Sequence, residues 1–506
     1  MSTGKHIDRI CAAIVILAVG VTILFMNGEA LGISVLRDAD LERYEAGQYF
    51  TENDLNGAWD TGGASFVVLS GDSSTVTGNG AYMKDGDLCI VSSGRYVVSG
   101  SLSDGKIIVD ANKNSKVWIL LSGVDLYCSD DACIRVNEAD KVFLTLKEGS
   151  SNSLESGTAY SDFALLDDTD GVIFAHDDLT INGTGTLSVT AGCRHGISAN
   201  DDLIIAGGTV TVTAPEDGIR ANDRLNIANT KITVDAGDDG ISVNTDTGML
   251  YLESGEFSLT SGDDGLHAAS PILMKDGTYV IRSGDDAIHS DMSFTMLSGT
   301  LEVPESHEGI EAPSILISDG MLTIFAQDDG MNANRGPAVN TVVSPDGTVT
   351  AVRSEDDASP SVEIRGGQIL IENPWGTDAD GIDSNGNIRI SGGVIVIHLL
   401  GAPANTPFDY GLVPGSVLEI TGGTILGSGG AGPMKPAASD SQKSLLVNTG
   451  SYTSSNVKVR LLDSSGEEIL SDEVPYSFTT YFVSTPDLAD DSYTLVIGKD
   501  RYEVRP

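Results

Sequence analysis

The sequence predicts an all-β chain, a right-handed parallel β-helix with three short strands in each coil of about 22 residues and a small β cap at the C-terminal end. Three observations carry this. A motif of two acids before a glycine, "GDDGISVN" at 237–244, recurs in close variants such as "RHGISAN" and "HEGIEAP", with the glycine or alanine at 196, 218, 240, 265, 287, 309 and 330. The steps are 22, 22, 25, 22, 22 and 21 residues. Within each step the apolar residues fall into three i, i+2 pairs, as in Ile219/Ala221, Leu225/Ile227 and Ile232/Val234, then Ile241/Val243, Leu250/Leu252 and Phe257/Leu259. Such pairs describe short strands with one buried face. Gly, Asn and Asp separate the pairs, and no helical period intervenes. A β-sandwich would need longer strands and a looser period.

In chain order, Lys5 and Arg9 precede the apolar run Ile10–Met26, followed by Gly28 and Ala30. Residues 1–30 therefore read as a signal peptide or a signal anchor, with the rest of the chain exported to the cell surface or beyond. Residues 31–63 read as a linker. Residues 64–436 carry the β-helix, with looser rungs over 66–165, an insertion at Arg335–Ser361, and resumption in "GIDSNGNIRISGGVIVI" at 381–397. Residues 437–506 lose the period and form the cap that an open β-helix end requires.

Composition narrows the partners. Seventy-three Asp and Glu against 29 Lys and Arg give a net charge of −44. Nucleic acid is excluded as a partner because phosphate binding needs basic side chains, and contact with membrane is expected only through the N-terminal segment. Forty per cent hydrophobic residues exclude a disordered acidic chain. Five cysteines do not make a disulfide scaffold. Cys128 and Cys133 read either as a close pair able to bridge after export or as buried small hydrophobes.

Stacked coils about 4.8 Å apart turn the acidic motifs into ladders. Like charges at that spacing repel by roughly 1 kcal/mol in water and roughly 3 kcal/mol at an effective dielectric of 20. A single Asp before a turn glycine is explained by local bonds to backbone N–H groups; doubled acids in coil after coil are not. Calcium, which takes six to eight oxygen ligands, resolves the repulsion. The expected metal ligands are Asp217, Asp238, Asp239, Asp263, Asp264, Asp285, Asp286, Glu308, Asp328, Asp329, Asp380 and Asp383, with Asn222, Asn244 and Asn334 as further donors. Residues between the apolar pairs of the next strand face outward. Of these, Arg220, His267, His289 and Glu311, joined by Trp375 in "NPWGTD", are the expected glycan contacts, and any one of them reads equally as part of a solvated polar face.

The chain resembles a family of exported, mostly bacterial carbohydrate-binding proteins, described as binding cellulose and polygalacturonate on a calcium-containing parallel β-helix. The resemblance runs from "GRYVVSGSLSDGKIIVDA" and "KVWILLSGVDL" through the "DDGI" coils and "ADGIDSNGNIRISGG" to "FVSTPDLADDSYTL". The family's Gly-rich loop is replaced by Arg335–Ser361, which is not Gly-rich. The resemblance implies calcium and acidic-glycan binding. The expected partner is a polysaccharide, foremost acidic pectin-type polygalacturonate, with cellulose second because aromatic residues are sparse, and a monomer is expected.

Two other classes stay open. A uronate polysaccharide lyase needs calcium and a Lys or Arg base, yet between 216 and 330 only Arg220, Arg224, Lys231, Lys275 and Arg282 are basic. Glycoside hydrolysis by paired carboxylates is compatible with so many acids. An adhesin or structural stalk needs no glycan at all. The expectation is a binding protein with no catalytic residues.

Overall fold

A computed structural model describes residues 49–334, 339–343, 349–353, 360–376, 378–411, 415–432, 434, 437–438 and 442–506. The apolar run 10–26, and with it the signal-peptide or anchor reading, lies outside the described residues. The described chain is a parallel β-solenoid of about 12 turns. First strands of successive coils, among them Ile219–Ala221, Ile241–Val243, Leu266–Ala268 and Ile288–Ser290, form one 14-stranded sheet. Second and third strands, such as Arg224–Ile227 and Thr230–Ala236, join a 26-stranded sheet.

The i, i+2 pairs do what their spacing demands. Ile219, Leu225, Ile227, Ile232 and Val234 are all at most 2% exposed, and each stacks on its counterpart a coil away. Burying each such side chain contributes roughly 1.5–3 kcal/mol. In the early coils the second and third strands fuse, as in Asp178–Thr190 and Leu203–Ala214. There Gly183 (φ +96°) and Gly207 (φ +135°) turn the corner in conformations that L-residues avoid, so the bend does not end the strand.

The stack is closed at both ends. At the start, Ser65–Ser70 pairs antiparallel with Thr75–Thr77, and Ala81–Lys84 with Asp87–Ile90. At the finish, Thr424–Gly429 pairs antiparallel with Thr480–Ser484, beside a separate four-stranded antiparallel sheet with its own core of Val459, Leu461, Phe478, Tyr481 and Leu495. The insertion interrupts the sequence but not the ladder, because Ser314–Ile317 pairs directly with Ser361–Ile364 and Met331–Ala333 with Ile382–Ser384.

Residues 49–57 depart from the linker reading, which composition alone suggested. They pack on the outside of the coils. Asp54 is fully buried, accepts from Thr180 Oγ1 at 2.6 Å and pairs with Lys141 Nζ at 2.9 Å. Burial opposes its charge, but bonds from Thr180 and Thr51 and the Lys141 ammonium hold its pKa below the usual carboxylate value. Asn182 donates to the Asp54 carbonyl, Asn226 to the Tyr49 carbonyl, and the Tyr49 ring stacks on Tyr251 at 3.9 Å. Asp54→Ala strands the Lys141 ammonium, so thermal or urea unfolding should report a loss of about 3 kcal/mol. A change within error would make the contact incidental.

Candidate metal centre and ligand face

The acidic motif sits at the corner that leads into the 14-stranded sheet. Successive residues there face different ways, so the two acids are not equivalent. The acid just before the glycine or alanine turns under the next coil: Asp217, Asp239, Asp264, Asp286, Glu308, Asp329 and Asp380 are all at most 9% exposed. The first acid stays outside, with Asp238, Asp263 and Asp285 exposed and Asp328 half-buried.

The buried acids are tied along the stack. The Asp264 N–H donates to Asp239 Oδ1 at 3.1 Å, and the Asp286 N–H to Asp264 Oδ1 at 2.9 Å. The Asp380 N–H donates to Asp329 Oδ1, and the Thr406 N–H and hydroxyl to Asp380 Oδ1. The backbone bonds expected within one turn are thus made between coils. The second carboxylate oxygen meets the outward row, in which Arg220, Ser242, His267, His289, Glu311, Asn332 and Asp383 stand in register. Ser242 Oγ donates to Asp217 Oδ2 at 2.8 Å and Asn332 Nδ2 to Glu308 Oε1 at 2.9 Å. His267 Nδ1 lies 3.0 Å from Asp239 Oδ2, and His289 Nδ1 2.9 Å from Asp286 Oδ2.

The motif glycine is no turn glycine, contrary to the sequence reading. Gly218, Gly240, Gly265, Gly309 and Gly330 all lack positive φ. A Cβ on Gly265 would meet Ile281 Cγ2 and stand 2.6 Å from the Ala287 carbonyl oxygen. The residue is glycine because two coils touch there.

The row has two electrostatic halves. Toward the N-terminal end, protein cations answer the acids. Arg220 reaches past Ser198 to within 2.7 Å of His195 Nε2 and 3.4 Å of Asp170 Oδ2, while Lys106 and Arg135 share Asp131 at 2.7 and 3.0 Å. Sequence reading missed His195 and Asp170. Alignment on the repeat finds His195, which "RHGI" places where other coils carry the buried acid, whereas Asp170 precedes Gly171, the residue opposite His195. Toward the C-terminal end, no Lys or Arg pairs with Glu308, Glu311, Asp329, Asp380 or Asp383 among the described residues. Burial, reinforced by neighbouring carboxylates, pushes Glu308 up to about 8, Asp329 to about 9, Asp380 to about 7 and Asp383 to about 6. In the middle, burial and the Asp286 charge raise Asp264 to about 7, and the bond that His289 donates to the Asp286 carboxylate raises His289 to about 9.

Buried acceptors are also left over at that end. Glu308 Oε2 and Asn332 Oδ1 find no hydrogen-bond partner. Trp375, 56% exposed, lies nearby in sequence to Asn373, whose side chain donates to the Asp328 carbonyl at 2.7 Å. Asn222 bonds to Asn200 and Asn385 to Asn334, an amide ladder at the next corner; Asn334 also donates to Glu311 at 2.6 Å. Cys128 and Cys133 are buried, free thiols.

A family model described as carbohydrate-binding domain-containing protein matches residues 84–358 and 285–456. A carbohydrate-binding domain-containing protein of Acetivibrio thermocellus is 34% identical over 137 residues, which are 27% of this chain and 48% of the relative. The chain thus spans about half the length of that relative. A solved structure of a polysaccharide lyase-like protein from C. thermocellum, a gadolinium derivative, is similar with a TM-score of 0.44 and 27% identity, covering 45% of this chain and 94% of that one. The family-model matches run over most of the described coils, and the chain belongs to the family of carbohydrate-binding domain-containing proteins.

Proposed function

We propose that the protein is an exported, calcium-dependent binder of acidic polysaccharide, with polygalacturonate as the model ligand. The carrying observation is the C-terminal half of the acid row, where among the described residues the buried carboxylates pair with no Lys or Arg and Glu308 Oε2 and Asn332 Oδ1 are left without partners. Hard oxygen donors in excess, held at coil spacing, suit calcium. Glu308, Asn332, Asp329, Asp380 and Asp383 would hold it, with Asp328 at the rim. Calcium there would neutralise the row and offer an open coordination position to a uronate carboxylate.

Direct attraction between a polyuronate and a chain of net charge −44 is repulsive, so a cation has to mediate. The exposed Trp375 indole supplies a stacking surface beside the same corner. Arg220, His267 and His289 keep part of their side chains exposed, 27%, 37% and 27%, for hydroxyl contacts farther along. Each is already engaged by an acid, half-buried Asp170 for Arg220 and buried Asp239 and Asp286 for His267 and His289, which makes them positioned donors rather than free charges.

Sedimentation with insoluble polygalacturonate tests the reading. Binding should rise with calcium, fall in chelator, weaken in Trp375→Ala, and be poorer for cellulose. Equal binding with and without chelator would overturn calcium bridging. No unsaturated uronate and no new reducing ends should form during incubation. Steady product release lost on replacing a single Arg or Lys would make the protein a lyase, and release of saturated ends a hydrolase.

A further inference from the structure

Three of the chain's seven histidines, His267, His289 and His307, occur in consecutive coils, inside the acid row. Asp239, Asp264 and His267 bring ligand atoms within 4.8 Å of one another, and so do Asp264, Asp286 and His289. Asp264 belongs to both groups. Its Oδ1 is taken by the Asp286 N–H, while Oδ2 lies 3.5 Å from His267 Nδ1 and 3.9 Å from His289 Nδ1. The carboxylate is 5% exposed, so this remaining oxygen is a buried acceptor set between two imidazoles whose ring centres are 5.2 Å apart.

Ligand chemistry separates these coils from the calcium end. Calcium takes six to eight oxygens at 2.3–2.6 Å, whereas imidazole nitrogen beside carboxylate is the donor set of zinc and its neighbours. Donors about 2.0–2.1 Å from a tetrahedral ion stand roughly 3.3 Å apart. The nitrogen–oxygen distances bracket that: 3.0 and 3.5 Å around His267, 2.9 and 3.9 Å around His289. Both imidazoles are partly exposed, which leaves a path for an ion and room for water in the remaining position.

We propose that Asp239–Asp264–His267 and Asp264–Asp286–His289 form a paired site for divalent ions of the zinc class, bridged by the Asp264 carboxylate. It shares no residue with the calcium site proposed at Glu308, Asn332, Asp329, Asp380 and Asp383 and stands or falls without that site, although it takes Asp239, Asp264 and Asp286 from the calcium ladder that the sequence suggests. On binding, each imidazole gives up any Nδ1 proton to solvent and the ion takes its place, so loading also releases protons. Zinc here would fix the spacing of three coils and present its open position on the face where Arg220 and Glu311 lie.

Cobalt is the probe, because four-coordinate cobalt absorbs visible light and calcium does not compete for nitrogen donors. The full chain, stripped with chelator, should develop a visible cobalt band that zinc bleaches and a large excess of calcium leaves. His267→Gln and His289→Gln should each remove about half of that band, and Asp264→Asn most of it. The zinc and calcium competitions need no variant, so a misfolded mutant does not decide the matter. Absence of a band, bleaching by calcium as readily as by zinc, or a band indifferent to both histidine changes would overturn the proposal and leave imidazolium–carboxylate pairs only.

Discussion

Freed of divalent ions, the protein is expected to lose thermal stability steadily as pH rises from about 5 to about 9, and calcium is expected to flatten that slope. Asp264, Glu308, Asp329, Asp380 and Asp383 titrate in the fold at about 7, 8, 9, 7 and 6, against roughly 4 in an unfolded chain. Across that window the folded state holds protons that the unfolded state has released, so stability falls as pH climbs. His289 acts in the same direction. Its pairing with Asp286 is fully present below the unfolded value near 6.5 and is lost as pH rises through about 9. Each tenfold difference in proton affinity is worth about 1.4 kcal/mol, so even two of these groups amount to a loss of several kcal/mol. Calcium that binds only the folded state stabilises by mass action, and more at high pH, where it no longer competes with protons. Melting curves at pH 5, 7 and 9 with calcium and with chelator decide it. A chelated protein as stable at pH 9 as at pH 5, or a calcium effect larger at pH 5, would remove the metal from the C-terminal half of the row.

The coil was legible because its cause is local. Ile219/Ala221, Leu225/Ile227 and Ile232/Val234 repeat in every period, and each pair is a strand with one face in the core whatever surrounds it. The strap at residues 49–57 was not legible, since nothing in "YFTENDLNG" shows that Asp54 will meet Lys141 and Thr180 some 90 to 130 positions later. The same distinction divides the site. Spacing placed Asp239 and Asp264 in one ladder, but it could not say that the second acid of each pair is buried and the first is not. Nor could it say that Arg220, two coils along, would lie against Asp170. Pairwise charge balance is a property of the stacked surface, and a one-dimensional repeat shows only its period.

The motif glycine supplies the second large effect. Gly265→Val should lower the urea midpoint by the equivalent of about 3 kcal/mol, the upper end for overpacking. Its Cβ would meet Ile281 Cγ2 on the third strand of its own coil and stand 2.6 Å from the Ala287 carbonyl oxygen of the next. Neither neighbour can yield, since Ile281 is fully buried and the Ala287 oxygen accepts the Leu266 N–H that holds the ladder. The chain contains its own control. Among the coils from 196 to 381, one carries Ala287 where the others carry glycine, and the third strand of that coil, Thr300–Ser306, shifts register between Val303 and Ser306. That bulge lies on the coil whose motif position accepts a methyl group. Ala287→Gly should therefore cost no more than about 1 kcal/mol, through backbone entropy alone. If Gly265→Val and Ala287→Gly shift the midpoint equally, close packing is not what keeps glycine in the motif, and the residue would have to be explained by the turn after all.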